Sequence, residues 1–401
     1  MTSEFTPARF KPSPDPTWPR LRALLDPYPA GHAVPVNMTI GEPKHPFPDW
    51  LPDMLGQVQS GWGKYPDNNG LPELREAISA WISRRYGVDT DPDTQIMALN
   101  GTREGLFGAA LALSPDTKNG DHPAILLPNP FYPVYGVAAL AVNAEPVYVP
   151  ATRDTGHLPD FASLPADVLN RTAIAYVCSP ANPQGRVADE AYWKELLALA
   201  EKHDFRIFSD ECYSEIYRDT PPPGGLEMAA KFGADPERVT IFHSLSKRSN
   251  LPGLRSGFVA GGPKSIGEIK RLRATAGAPL PNPIQAVSAA VWNDEEHVIA
   301  NREQYSAKFV QADHIFAGFD GYESPEAGFF LWLPVDRFGG DGEATALRLW
   351  REAGVRTLPG AYLSRTVAGT NPGQNYIRVA LVAPIDEMTK GLTRIRDHLQ
   401  Q

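Results

Sequence analysis

Val239-Thr240-Ile241-Phe242-His243-Ser244-Leu245-Ser246-Lys247 reads as an apolar strand, Val239 to Phe242, that runs into a polar cluster, Ser244 to Lys247. The same arrangement occurs twice upstream. Ile174 to Cys178 leads into Ser179 to Gly185, and Ile207 to Ser209 leads into Asp210 to Tyr213. Further apolar runs, Ile96 to Leu99, Ala124 to Leu127, Pro146 to Val149 and Gly257 to Ala260, lie between helical patterns. Leu71 to Gly87 places Leu74, Ile78, Trp81 and Ile82 on one face, with Pro72 in the first turn and Gly87 as a stop. Ala191 to His203 groups Trp193, Leu196, Leu197 and Ala200 in the same way. Short buried strands alternating with helices predict an α/β fold: a mostly parallel sheet with helices on both faces. In such sheets ligands sit at the carboxyl ends of the strands, so the three polar clusters are expected to meet on one ligand.

The residue types in those clusters suit pyridoxal phosphate. Its aldehyde needs a lysine amine to form a Schiff base, and its phosphate needs hydroxyls and a fixed guanidinium. Ser244, Lys247 and Arg255, eight positions on, supply these groups, although a lysine is by default solvated surface. Asp210 ends an apolar strand, where an ionised carboxylate is costly unless it meets a cation or donors. A protonated pyridine nitrogen is such a cation, and at about 4 Å and an effective dielectric near 20 the attraction is on the order of 4 kcal/mol. A helix cap or surface turn is the plain alternative for Asp210. Tyr213 and Asn182 offer a phenol and an amide to the ring oxygen, against core packing and an Asn-Pro loop as alternatives. Gly101-Thr102-Arg103, between Ile96 to Leu99 and a helical stretch from Glu104 to Leu113, offers helix-start N–H groups to the phosphate. Tyr132, in Asn129-Pro130-Phe131-Tyr132-Pro133, is placed to stack on the ring or to pack in a turn. Arg378, inside the apolar Tyr376 to Val382, needs an anion: a substrate carboxylate or a structural partner.

The 401 residues exceed what one core normally serves, so a large and a smaller domain are expected. The division reads as an N-terminal arm and small-domain segment over 1–40, a large cofactor-binding domain over 41–280 and a small C-terminal domain over 281–401. In the last, Gly328 to Leu333 and Tyr376 to Val382 read as strands and Gly342 to Gly354 as a helix. Met1 to Pro29 holds prolines at 7, 12, 14, 16, 19, 27 and 29 and reads as an extended arm. A formal net charge of -9 without any basic run argues against nucleic acid or an anionic membrane surface as partner. Cys178 and Cys212 lie outside any Cys-x-x-Cys pattern and the nine histidines show no metal-ligand spacing, so no metal is expected. With no secretory leader and no bilayer-length apolar run, a reducing cytoplasm fits best.

In order and spacing these residues resemble the fold-type I, class I/II aminotransferases over nearly the full chain. Asn182 to Asp210 is 28 positions, Asp210 to Tyr213 three, Ser244 to Lys247 three and Lys247 to Arg255 eight. The resemblance implies that Lys247, Asp210 and Tyr213 are catalytic. It also implies that Gly101, Thr102, Arg103, Tyr132, Asn182, Ser244 and Arg255 bind the cofactor, and that Gly41, Asn182 and Arg378 bind substrate. It further gives Tyr65, in Lys64-Tyr65-Pro66-Asp67, as the residue that reaches the phosphate of a neighbouring subunit's cofactor, hence a homodimer with shared sites. Arg103 departs from relatives with a smaller or uncharged residue there, where only the backbone N–H is needed. Lys44-His45 departs as well and would suit an acidic substrate.

Gly41-Glu42-Pro43-Lys44-His45-Pro46, Ala290 to Glu295 and Val355 to Tyr362, with Asn371-Pro372-Gly373 beyond, are similar to the N-succinyl-diaminopimelate aminotransferases of bacterial lysine synthesis. This implies transfer of an amino group between that amino acid and 2-oxoglutarate. Aspartate, aromatic or other amino acids, or β-elimination by a carbon-sulfur lyase, are the alternatives on the same cofactor set. A non-catalytic binding module is set aside because the lysine is present and no DNA-binding segment is attached.

Overall fold

The structure is a computed structural model that describes residues 7–10 and 16–400. A seven-stranded sheet runs Ile96–Leu99, Gly257–Gly261, Val239–Ser244, Arg206–Asp210, Thr172–Cys178, Ala124–Asn129 and Glu145–Pro150 from edge to edge. Four of its pairings are parallel, and the two made by Gly257–Gly261 are antiparallel. Residues 245–256 hold only the one-turn helix Leu245–Arg248 and a short 3-10 turn, too little for a crossover, so the chain reverses there.

Alternate strand residues serve two cores, as a period of two requires. Ala175, Val177, Ile207 and Ile241 face the cluster around Trp81, Trp193 and Trp292, whereas Ile174, Tyr176, Phe208 and Phe242 face the one around Leu106, Tyr135 and Ile266. The first face is covered in part by Pro72–Tyr86, which Gly87 ends in the left-handed region at φ 64°, and by Glu190–His203, capped by Asp189.

A third core forms around Tyr305, Phe309, Phe330, Leu333, Val379 and Leu392, over a three-stranded sheet ordered Leu358–Pro359, Tyr376–Ala380, Phe330–Pro334. Val36 and Met38 belong to it, and Val36–Asn37 pairs in parallel with Val355–Arg356. Helix Asn282–Asn293 sends Val287, Val291 and Trp292 into the large sheet's core. From this packing we propose that the domain division falls after Asn293, not at 280/281.

The arm expected over Met1–Pro29 lies partly outside the described residues. Its described part departs from an extended form: Thr17–Leu25 is helical, with Pro19 tolerated in the first turn and Leu21 and Leu25 buried against Trp332, Trp350 and Tyr362. The helix expected over Gly342 to Gly354 runs Gly342–Arg348 and continues as a π-turn, Leu349–Ala353. Among the described residues no helix is long and apolar enough to cross a membrane.

Candidate active site

The carboxyl ends of Thr172–Cys178, Arg206–Asp210 and Val239–Ser244 lie side by side, with Cys178 opposite Asp210 and Asp210 opposite Phe242 in the ladder. Asp210 is buried, and Tyr135 Oη donates to its Oδ2 at 2.7 Å while the Cys212 N–H donates to Oδ1 at 3.3 Å. Burial pushes its carboxyl up against the pull of these donors. Among the described residues it forms no ion pair with lysine, arginine or histidine, so a buried carboxylate stands ready for a cation from outside the chain.

Ser244 ends its strand and caps the Leu245–Arg248 turn by accepting from the Ser246 N–H. Thr102 opens the helix Thr102–Leu113, and its hydroxyl lies 3.1 Å from Cys212 Sγ, which is in turn 3.8 Å from the Ser244 hydroxyl. Arg255, at φ 55°, donates to the carbonyls of Pro252 and Asn100. Gly101 is required here: its φ is 81° and a Cβ would stand 2.3 Å from Arg255 Nη2. Helix-start N–H groups, two hydroxyls and a guanidinium thus converge in the manner of an anion cup.

The Lys247 amine donates to the Gly41 carbonyl and lies 5.1 Å from the centre of the Phe329 ring and 6.0 Å from that of Tyr213. Burial lowers its pKa to about 8. Tyr213 is buried edge-on to Phe329, and burial raises its phenol well above the ordinary value. Arg378 is 5% exposed, lies over the Phe330 ring and donates to Asn182 Oδ1 at 3.2 Å and to the Thr39 carbonyl at 2.8 Å. It meets no carboxylate among the described residues, its Nε is unpartnered, and burial lowers its pKa to about 10. Tyr132, Tyr135, Cys178 and Asn182 line one cleft.

Of the other expected residues, one stands apart from this cluster and one joins it through its side chain. Tyr65 is fully exposed and reaches no group of the cluster in its own chain. The Arg103 guanidinium turns to Tyr132, where Nε donates to Oη at 2.6 Å. Tyr135 and the Thr39 carbonyl were not expected. Tyr135 sits one helical turn after Tyr132 and reads as core, and a backbone carbonyl has no signature in sequence.

A buried unpaired carboxylate, an anion cup and a depressed amine, with a buried guanidinium beside them, are the groups that a phosphorylated pyridine aldehyde and a carboxylate-bearing amine require. The chain belongs to the aminotransferase class I and II family, whose model matches residues 33–395, and is a pyridoxal-phosphate-dependent aminotransferase. It is similar to the LL-diaminopimelate aminotransferase of Dehalococcoides mccartyi, at 32% identity over 91% of this chain and 92% of that one. An aminotransferase from Neisseria meningitidis superposes with a TM-score of 0.92 at 39% identity, covering 98% of this chain and 99% of that one. A probable N-succinyldiaminopimelate aminotransferase from Thermus thermophilus does so with a TM-score of 0.82 at 26% identity, covering 95% of this chain and 100% of that one.

Proposed function

We propose that this enzyme moves the amino group of a long, distally acidic amino acid, N-succinyl-LL-2,6-diaminopimelate, to 2-oxoglutarate, in lysine synthesis. Pyridoxal 5'-phosphate, when bound, supplies the aldehyde that takes up the amino group and the ring that withdraws electrons from the α-carbon. Gly101, Thr102, the Arg103 N–H, Ser244 and Arg255 would hold its phosphate, Asp210 its ring nitrogen, Asn182 and Tyr213 its ring oxygen, and Tyr132 its face. Lys247 would hold the aldehyde carbon. Arg378, with Asn182, orients the substrate carboxylate beside Gly41, and the buried guanidinium that lacks a carboxylate of its own is the observation that carries this assignment. An amine with a pKa of about 8 is neutral often enough near neutral pH that it would take the α-proton and deliver it to the aldehyde carbon, two atoms away across the nitrogen. Tyr65 would act across a homodimer, in keeping with its full exposure and with Trp62 56% exposed nearby.

For the distal end, Arg103 and Lys44 support an acid. Neither forms an ion pair among the described residues, and Arg103 is held on Tyr132 at 2.6 Å. Glu42, exposed in the same loop as Lys44, is a carboxylate that acts on Lys247 electrostatically, and it favours the free diamine as a second reading. The name of the Dehalococcoides relative supports that reading too. Half-transamination separates the two: the loaded protein is mixed with N-succinyl-LL-diaminopimelate, LL-diaminopimelate, aspartate or an aromatic amino acid and its absorbance followed. Conversion by the succinylated donor at the highest kcat/KM is expected. Conversion by the free diamine alone would replace the donor, and conversion by aspartate alone would remove diaminopimelate altogether.

A further inference from the structure

Lys308, on helix Glu296–Ile315, is 2% exposed and forms no ion pair among the described residues. Its ammonium donates to His45 Nε2 at 2.6 Å, and Lys44 adds repulsion; burial first, and then that charge, lower its pKa to about 8. A buried ammonium compensated only by an imidazole nitrogen and, at 5.2 Å, the face of the Tyr305 ring among the described residues is costly, and an apolar side chain of similar volume would serve stability as well or better. What the charge does is fix its neighbour. With Nε2 accepting, His45 carries its proton on Nδ1 and gives it to Asn301 Oδ1 at 2.8 Å, an oxygen that also accepts from Asn250 Nδ2 at 3.1 Å. The Asn301 amide is thereby turned so that its Nδ2 faces the carbonyls of Lys247 and Arg248, at 3.4 and 3.5 Å. A second path runs through rings: His45 lies 4.4 Å from Tyr305, which stacks on Phe329, the ring beneath the Lys247 amine.

We propose that Lys308 is a positioning residue, which through His45 and Asn301 on one side and Tyr305 and Phe329 on the other sets where the Lys247 amine stands. The inference rests on Lys247 being the reacting amine. It differs from a structural role because the chain from Lys308 ends on the backbone of the residue that does the chemistry, and because removing the charge should spare stability.

The test compares wild type with Lys308→Met, His45→Gln and His45→Phe, measuring three quantities. These are the rate at which cofactor-free protein captures pyridoxal phosphate, kcat and KM of half-transamination, and the thermal midpoint of the cofactor-free protein. In Lys308→Met the capture rate and kcat fall about tenfold at unchanged KM, since a misplacement of under an ångström at a reacting group has that order of effect. The midpoint stays level or rises. Glutamine can accept from Lys308 and donate to Asn301, so His45→Gln keeps wild-type rates, whereas His45→Phe behaves as Lys308→Met. Wild-type rates in Lys308→Met overturn the inference. So does a midpoint that falls together with the rates, or equal losses in the two His45 variants. Borohydride reduction of the loaded wild type, followed by peptide mapping, tests the underlying reading separately: an adduct on any lysine but Lys247 removes the site assignment itself.

Discussion

Tyr135→Phe takes one oxygen from beneath the active site and leaves the rest of the packing in place, because the ring remains stacked on Tyr176 at 4.5 Å and 15°. The lost hydroxyl is the closest donor to Asp210, 2.7 Å from Oδ2, with the Cys212 N–H at 3.3 Å and the Cys212 side chain as weaker donors. Burial, and next the charge of Asp210, raise the Tyr135 phenol well above its ordinary value, so it stays protonated and donates at any working pH. A hydrogen bond to an ionised group contributes about 1.5–3 kcal/mol. Its loss adds to the burial that already pushes the Asp210 carboxyl up. In the proposed site the carboxylate then meets the ring nitrogen less often charged, and the dissociation constant of pyridoxal phosphate is expected to rise about 10–100-fold. Equilibrium titration of cofactor-free protein measures this, and the ¹⁵N shift of ring-labelled cofactor reports whether its nitrogen stays protonated. A dissociation constant within about twofold of wild type, with an unchanged ¹⁵N shift, would refute the reasoning.

The amine of Lys247, at a pKa of about 8, gives a pH prediction with a definite sign. Capture of pyridoxal phosphate needs the neutral amine, so its rate climbs with pH and levels off just above 8; a rate still climbing at pH 10 marks an ordinary lysine. Arg378→Lys keeps the charge but loses the fork that reaches both Asn182 and Thr39, and KM for the amino donor rises about 10–100-fold while cofactor affinity holds. Gly101→Ala drives a methyl toward Arg255 at a φ of 81° and weakens cofactor binding by about 1–2 kcal/mol, read by the same titration. His243→Ala removes one hydrogen-bond partner 2.9 Å from the buried Glu211 carboxylate, which keeps Tyr86, Ser209 and the Gly225 N–H, and lowers unfolding free energy by about 1.5–3 kcal/mol in denaturant titration at neutral pH. Burial raises the Glu211 carboxyl, but His243 and the other donors outweigh it and hold it below its ordinary value. The stability from a depressed carboxylate is present above its unfolded pKa and lost as pH falls through the folded one, so the deficit of the variant shrinks in acid.

Much of the fold was legible because the buried strands are short, apolar and stopped by polar residues, and Trp81 and its neighbours recur at helical spacing. Strand direction was not. Nothing in Gly257-Phe258-Val259-Ala260 says antiparallel; that follows from a connection too short to cross over. The Thr17–Leu25 helix was hidden by prolines whose effect depends on position within the first turn.

The candidate site divides along the same line. Side chains whose chemistry is exceptional for their setting stand out in the sequence as candidates: Asp210 at the end of an apolar strand, Arg378 inside one and Lys247 after one. Tyr135 and Lys308 could not, because each acts on a neighbour remote in sequence, 75 positions away for Tyr135 and Asp210 and 263 for Lys308 and His45. A tyrosine on an apolar helix face and a lysine in a charged helix look ordinary until the tertiary fold brings their partners. For both, the informative quantity is the cost of burial: a phenol or ammonium removed from water must be matched by a partner. At Tyr135 that partner is the carboxylate assigned to the ring nitrogen. At Lys308 it is a histidine one asparagine away from the backbone of Lys247. The residues that tune this site are therefore found by asking which buried polar groups terminate on the reacting ones.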